Sequence, residues 1–117
     1  MAKNQRRRQQ ISKTLMSTAE LIEAMKEHLP IPVYPGKELR ELLRSKGKDI
    51  SRGTELQITS VFDSGDEGGI MCSIIEEDSE VYLVSLTHLM IKPGHPLHIK
   101  IRTYQRRRIR KLARQNV

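Results

Sequence analysis

The sequence predicts an α+β fold, in which a small antiparallel β-barrel or roll has helices before it and a basic helix after it. Three observations lead to this class. Residues 54–102 contain short runs that alternate polar and apolar side chains, separated by turns. Residues 17–47 carry apolar side chains at helical spacing, as do residues 103–115 among many arginines. We therefore expect a flexible basic tail over residues 1–16 and one domain over residues 17–117.

The size and composition of the chain narrow its class. A length of 117 residues suits a single domain, and the one cysteine, Cys72, indicates a reducing compartment without an internal disulfide. No apolar run approaches the roughly 20 residues that a membrane-spanning helix needs. We expect a cytoplasmic protein without a membrane span.

Four strands are predicted within residues 54–102. The first, from Glu55, loses its alternation after Thr59, which predicts either a β-bulge near Ser60 or burial of the strand on both faces. Residues 81–86 form an almost continuous apolar run, typical of a central strand. The other two strands carry apolar side chains at alternate positions. Across the strands, the residues predicted to face the core are Leu56, Ile58, Ile70, Cys72, Ile74, Leu97, Ile99 and Ile101.

The turns between these strands are short and sequential, which favours an antiparallel meander. Turns are predicted at residues 63–69, which contain three glycines, at residues 76–79 and at residues 93–94. Strands this short usually close into a barrel or roll. In its strand spacing, the segment from about residue 50 to residue 103 resembles SH3-like barrels.

The helices before the strands have clear start and stop signals. Ser17 and Glu20 have the spacing of a capping box, and Pro30 ends the helix that they begin. Residues 30–36 contain three prolines, so we expect an extended linker lying against the domain. A second short helix follows and ends at Gly47.

Charge is strongly segregated along the chain. Residues 1–16 carry a net charge of +5, residues 17–50 are neutral, residues 51–91 carry −7 and residues 92–117 carry +9. This layout suggests that the two ends of the chain have an electrostatic function.

The basic segment over residues 103–115 reads as an amphipathic helix. Ile101, Tyr104, Ile109 and Leu112 fall on one arc, and Arg108 lies beside that arc, where its stem packs while its head reaches water. Guanidinium groups on the opposite arc suit paired hydrogen bonds to phosphates. The predicted nucleic-acid-binding residues are Lys100, Arg102, Arg106, Arg107, Arg108, Arg110, Lys111 and Arg114, together with Arg6, Arg7 and Arg8 of the tail.

The aromatic content indicates how nucleic acid is bound. The chain has only four aromatic residues, whereas proteins that bind single strands usually stack bases on several aromatic rings. We therefore expect contacts to the backbone or to structured RNA with little sequence readout, and RNA more than DNA.

The sequence gives little support for metal binding or catalysis. His88, His95 and His98 lie near one another in sequence and could join Cys72 on zinc, but their spacing matches no standard zinc module. No activated nucleophile and no phosphate-binding glycine loop is apparent. We expect no enzyme activity, no metal and no cofactor.

Three other interpretations of the charges remain open. The chain could be a protein-interaction module or small assembly factor whose basic patch binds an acidic protein partner. The basic helix could also be a solvated face that balances the acidic turns. An anionic membrane surface is a weaker alternative, because the apolar arc lacks Trp and Phe.

Overall fold

A curled antiparallel sheet of five strands carries the fold in a computed structural model that describes residues 16–75 and 80–115. The helices pack against one face of this sheet and share its core. In chain order the elements are α1 (Thr18–Lys26), β1 (Ile31–Pro35), α2 (Lys37–Ser45), β2 (Leu56–Asp63), α3 (Gly65–Gly68), β3 (Ile70–Ile75), β4 (Val81–Ser85), a 3₁₀ helix (Leu86–His88), β5 (Leu89–Ile91) and α4 (His98–Gln115). The α+β prediction is confirmed.

Both predicted helix caps are present. The Ser17 hydroxyl accepts the Glu20 backbone N–H at 3.1 Å, and the Glu20 carboxylate accepts the Ser17 N–H in return. At the end of α2, Gly47 has a φ of +82°, and its N–H donates to the Arg44 carbonyl at 2.9 Å. These local bonds satisfy backbone groups that a helix terminus leaves free.

The proline-containing segment is a strand of the sheet, and not only the extended linker that its sequence predicts. β1 pairs with β2 on one side and with β5 on the other. Ile31 and Val33 alternate with Pro32 and Tyr34, so their side chains enter the core. The sheet therefore begins about twenty residues earlier than the sequence predicts.

The strands β2, β3 and β4 form the predicted meander. The register between β2 and β3 shifts between Ile58 and Ser60, where the sequence predicts a bulge. Ile70, Cys72 and Ile74 all face the core, also as predicted. The prediction of a central strand for residues 81–86 is wrong, because β4 lies at the sheet edge and Leu83 is 60% exposed.

The order of strands explains the curvature. β4 and β5 lie at opposite ends of the order β4-β3-β2-β1-β5, yet only the 3₁₀ helix Leu86–His88 joins them. The sheet must curl back on itself to bring those edges together, and it forms a half-barrel. Helices α1, α2 and α4 supply the apolar side chains that fill its concave face.

The predicted fourth strand is wrong. Residues 98–101 belong to α4, which begins five residues before the predicted basic helix. Leu97 and Ile101 are buried, but Ile99 between them is 70% exposed. Residues four apart share one helix face, so the Leu97 and Ile101 pair fits a helix as well as a strand. The turn at Pro93 and Gly94 is present, and it leads into this helix.

The buried Cys72 thiol has a testable consequence. Its side chain is fully buried in β3, and that burial raises the pKa of Cys72 to about 12. We expect no reaction with a disulfide reagent at pH 8 in the folded protein, because the thiol is neither exposed nor ionised. Absorbance of the thiolate that the reagent releases should appear only after denaturant is added. Rapid labelling under native conditions would contradict the placement of β3.

Candidate nucleic-acid interface

Helix α4 is held to the half-barrel by polar side chains as well as by Ile101. Tyr104, Gln105 and Arg108 lie on the same side of α4 as Ile101, and each reaches a backbone group of the half-barrel or its turns. Positions three and four apart on a helix share a face, so these residues form one docking surface. We call Tyr104, Gln105 and Arg108 the docking residues.

Gln105 joins α4 to the segment that closes the half-barrel. Its side-chain nitrogen donates to the carbonyl oxygens of Leu86 at 2.8 Å and Leu89 at 2.7 Å. Leu86 is the first residue of the 3₁₀ helix between β4 and β5, and Leu89 is the first residue of β5. Because Gln105 is buried, these two bonds form away from water and fix the position of α4.

Tyr104 and Arg108 join α4 to the turn between β2 and β3. The Tyr104 hydroxyl accepts the Ile70 backbone N–H at 2.8 Å, and burial raises the pKa of Tyr104. The Arg108 guanidinium donates to the carbonyl of Asp66 at 2.6 Å and to that of Glu67. Those carbonyls belong to the four-residue helix α3, whose end would otherwise lack partners.

Arg108 therefore differs from the solvent-exposed phosphate contact that the sequence predicts. Its sequence position suggests a buried stem and a solvated head, but the side chain is only 7% exposed and the head is buried as well. Ile109, predicted on the apolar arc, is instead 56% exposed. The docking face of α4 is thus rotated toward Arg108 and Gln105.

Gly69 permits this close approach. It has a φ of +63°, a conformation that L-residues rarely adopt, and it lies under the Tyr104 and Arg108 side chains. A Cβ atom at this position would overlap the Tyr104 hydroxyl and lie 3.0 Å from Nε of Arg108. Position 69 therefore needs glycine for two reasons: the positive φ of its backbone and the lack of space for a Cβ atom beneath Tyr104 and Arg108.

We expect Gly69→Ala to lower the free energy of unfolding by about 2–4 kcal/mol, because backbone strain and steric overlap add. Gly53→Ala is the matched control, since a Cβ there meets no atom within 4 Å. It should change stability by less than about 1 kcal/mol. Urea denaturation followed by circular dichroism measures both values. Equal stability of the two variants would show that Gly69 is not under this constraint.

The remaining cations of α4 point into solvent. We call these exposed side chains the basic face, and it consists of Lys100, Arg102, Arg106, Arg107, Arg110, Lys111 and Arg114. All seven are predicted site residues. The predicted tail residues Arg6, Arg7 and Arg8 lie outside the described residues.

The acidic turns neutralise little of this basic face. Lys111 lies 3.5 Å from the Asp66 carboxylate, and within residues 16–75 and 80–115 this is the only ion pair that the basic face makes. Glu55 pairs with Lys92 at 2.7 Å, outside α4. Six of the seven cations therefore lack a carboxylate partner among the described residues.

A cleft of about 380 Å³ lies between α4 and the turn that joins β2 to β3. We call it the turn cleft. Its lining includes Arg107, Arg108, Lys111 and Arg114 on the helix side. On the opposite side, Asp63, Asp66 and Thr18, the first residue of α1, contribute to the wall.

The zinc ligands considered in the sequence analysis do not form a cluster in the described part of the chain. No group of three or more potential metal ligands lies together there. Cys72 is buried in β3, and the centroid of the His95 ring lies 5.6 Å from that of His28. No helix among these residues is long and apolar enough to cross a membrane.

Comparison of the chain with known protein families, with curated proteins and with solved structures finds no match. The function is therefore inferred from the geometry and charge of α4.

Sequence patterns identified the basic face but missed the docking role of Gln105 and Arg108. The signal that could have revealed it is their spacing from Ile101, four and seven residues along one helix face.

Proposed function

We propose that this protein binds nucleic acid, RNA more than DNA, by placing the basic face of α4 against phosphates. The observation that carries the proposal is that six exposed cations on one helix lack a carboxylate partner among the described residues. A surface that held these charges only for internal balance would pair more of them with the acidic turns. Uncompensated guanidinium groups favour phosphate oxygens, with which they form bidentate hydrogen bonds.

The length of the basic face supports contact with several phosphates. Lys100 and Arg114 are fourteen residues apart in α4, which corresponds to about 21 Å along a helix axis. In a DNA duplex this distance covers the rise of about six nucleotides of one strand. One helix could therefore contact several phosphates at once.

The aromatic residues argue against base stacking as the main contact. Among the four, only Tyr104 belongs to α4, and its hydroxyl is bound to β3. Phe62 is exposed on the face of the sheet opposite the core, and Tyr34 lies beside Lys92. Without a stacking platform on α4, we expect phosphate contacts with little sequence preference.

The half-barrel supports a finer assignment of the fold. We infer an SH3-like barrel, because five short antiparallel strands curl until the outer two are joined by a three-residue 3₁₀ helix. The barrel would span residues 31–91, rather than the segment from about residue 50 to 103 whose strand spacing suggests the resemblance.

An acidic protein partner is the second candidate. Ile99 and Ile109 are 70% and 56% exposed on α4, among the cations of the basic face. Apolar and basic groups on one helix suit an acidic, amphipathic segment of another protein. Binding that survives nuclease treatment of a native lysate would favour this candidate over RNA.

We expect the triple variant Arg107→Gln, Arg110→Gln and Arg114→Gln to bind an RNA hairpin about tenfold to a hundredfold more weakly than the wild type. This loss corresponds to about 0.5–1 kcal/mol for each phosphate contact. Glutamine preserves helix propensity, so the fold should be spared. Fluorescence anisotropy of a labelled hairpin measures the affinity.

The matched control removes three positive charges elsewhere on the surface. Lys26, Lys37 and Arg52 are exposed and lie outside α4, so their replacement by Gln lowers the net charge equally. This control should lose only a small part of the affinity. Equal losses in the two triple variants would mean that net charge alone attracts RNA, and no binding by the wild type would refute the proposal.

A further inference from the structure

The turn cleft holds a buried positive charge without a counter-ion among residues 16–75 and 80–115. Arg108 is 7% exposed, and no carboxylate oxygen of the described residues lies within 4.0 Å of its guanidinium nitrogens. Its hydrogen bonds go to the neutral carbonyls of Asp66 and Glu67. Carbonyl dipoles solvate a guanidinium but do not neutralise it, so a nearby anion would gain from this charge.

The rest of the lining adds to that positive potential. Arg107, Lys111 and Arg114 are exposed at the cleft, with helical spacing that places them along one flank of α4. Asp63 and Asp66 are the opposing carboxylates. Asp63 already accepts the Gly65 N–H at 2.9 Å, and Asp66 lies 3.5 Å from Lys111. Four cations against two carboxylates leave a net charge of +2.

The charge and shape of the turn cleft select a class of ligand. A phosphate monoester carries about −1.5 to −2 at pH 7, whereas a phosphodiester carries only a single negative charge. A volume of about 380 Å³ is small for a folded partner but sufficient for a phosphorylated group. Tyr104 is the one aromatic residue of the lining, and its hydroxyl is committed to Ile70, so the cleft offers little for reading a base.

We propose that the turn cleft binds a phosphate monoester, supplied by the terminal phosphate of an RNA strand or by a free nucleotide. The RNA form of this inference rests on the proposed function. Arg107, Lys111 and Arg114 contact the phosphate oxygens, while buried Arg108 contributes its charge from behind. In the RNA form, the remaining basic face follows the strand away from its end.

The test compares short RNAs of one sequence that carry a 5′-phosphate, a 3′-phosphate or neither. Each unlabelled RNA displaces a labelled RNA from the full chain, and adenosine monophosphate is titrated separately by calorimetry. A terminal phosphate should raise affinity about tenfold, the effect of one or two charge-assisted hydrogen bonds. Binding of adenosine monophosphate without any effect of the RNA terminus would instead assign the cleft to a free nucleotide.

Two double variants distinguish binding in the turn cleft from general electrostatic attraction to α4. Arg107→Gln with Lys111→Gln removes two charges from the turn cleft. Arg102→Gln with Arg106→Gln removes two from the same helix at positions outside its lining. The first pair should abolish the advantage of the terminal phosphate, or the binding of adenosine monophosphate. The second pair should lower the affinity for all the RNAs alike and preserve their ratio.

The outcomes separate the two proposals. If RNA binds but neither terminal phosphate nor adenosine monophosphate binds the turn cleft, the cleft inference fails and the proposed function stands. The inference also fails if both double variants reduce the phosphate advantage equally. If adenosine monophosphate binds through Arg107 and Lys111 while no RNA binds, the cleft inference stands and the RNA proposal fails.

Discussion

Ile101→Asp is expected to abolish folding at 25 °C, whereas Ile99→Asp should leave the protein folded. Ile101 is fully buried where α4 meets the core, so a carboxylate there would be desolvated without a partner. We expect a loss of more than about 4 kcal/mol, comparable to the whole stability of many small domains. Ile99 is 70% exposed in the first turn of α4, where a negative charge interacts favourably with the helix dipole.

Circular dichroism and thermal unfolding of the two variants provide the measurement. The same substitution at positions two residues apart controls for charge and side-chain size. A strand through residues 97–101 would make both substitutions severe, because both side chains would face the core. Severe destabilisation by Ile99→Asp would therefore contradict the helical assignment.

Arg108→Gln is also expected to destabilise the protein strongly. The substitution removes two hydrogen bonds to α3 and leaves the carbonyls of Asp66 and Glu67 without their partner. We expect a loss of about 2–4 kcal/mol, since charged hydrogen bonds and buried polar groups are both involved. Arg110→Gln makes the same chemical change two residues away on an exposed side chain.

Urea denaturation separates the roles of these two arginines. Arg110→Gln should change the free energy of unfolding by less than about 0.5 kcal/mol. It should weaken RNA binding instead, if the basic face contacts phosphates. Similar stability of Arg108→Gln and Arg110→Gln would show that the contact with α3 does not hold α4 in place.

The sequence predicted those elements whose signals are local. The capping box at Ser17, the C-terminal glycine Gly47 and the bulge near Ser60 each depend on a few neighbouring residues. The strand β1 was missed as a strand because its prolines suggest a linker, and its partners lie far along the chain. The edge position of β4 likewise depends on the order of strands, which an apolar run does not specify.

The candidate site shows the same division between features with local sequence signals and features that depend on distant residues. The exposed cations of α4 could be identified from composition and helical spacing. The role of Arg108 could not, because its acceptors lie more than forty residues earlier in a turn that folding brings beside α4. The strand predicted through Ile99 failed for another reason, since alternate apolar residues also include a pair four apart, which fits a helix.

The salt dependence of RNA binding tests the central proposal most directly. Each phosphate contact releases condensed counterions, so the logarithm of affinity should fall steeply and linearly with the logarithm of salt concentration. The triple variant Arg107→Gln, Arg110→Gln and Arg114→Gln should show a slope shallower by up to about three, roughly one for each lost contact. Anisotropy titrations between about 50 and 200 mM salt measure both slopes. Equal slopes for the wild type and the triple variant would contradict phosphate binding by the basic face of α4.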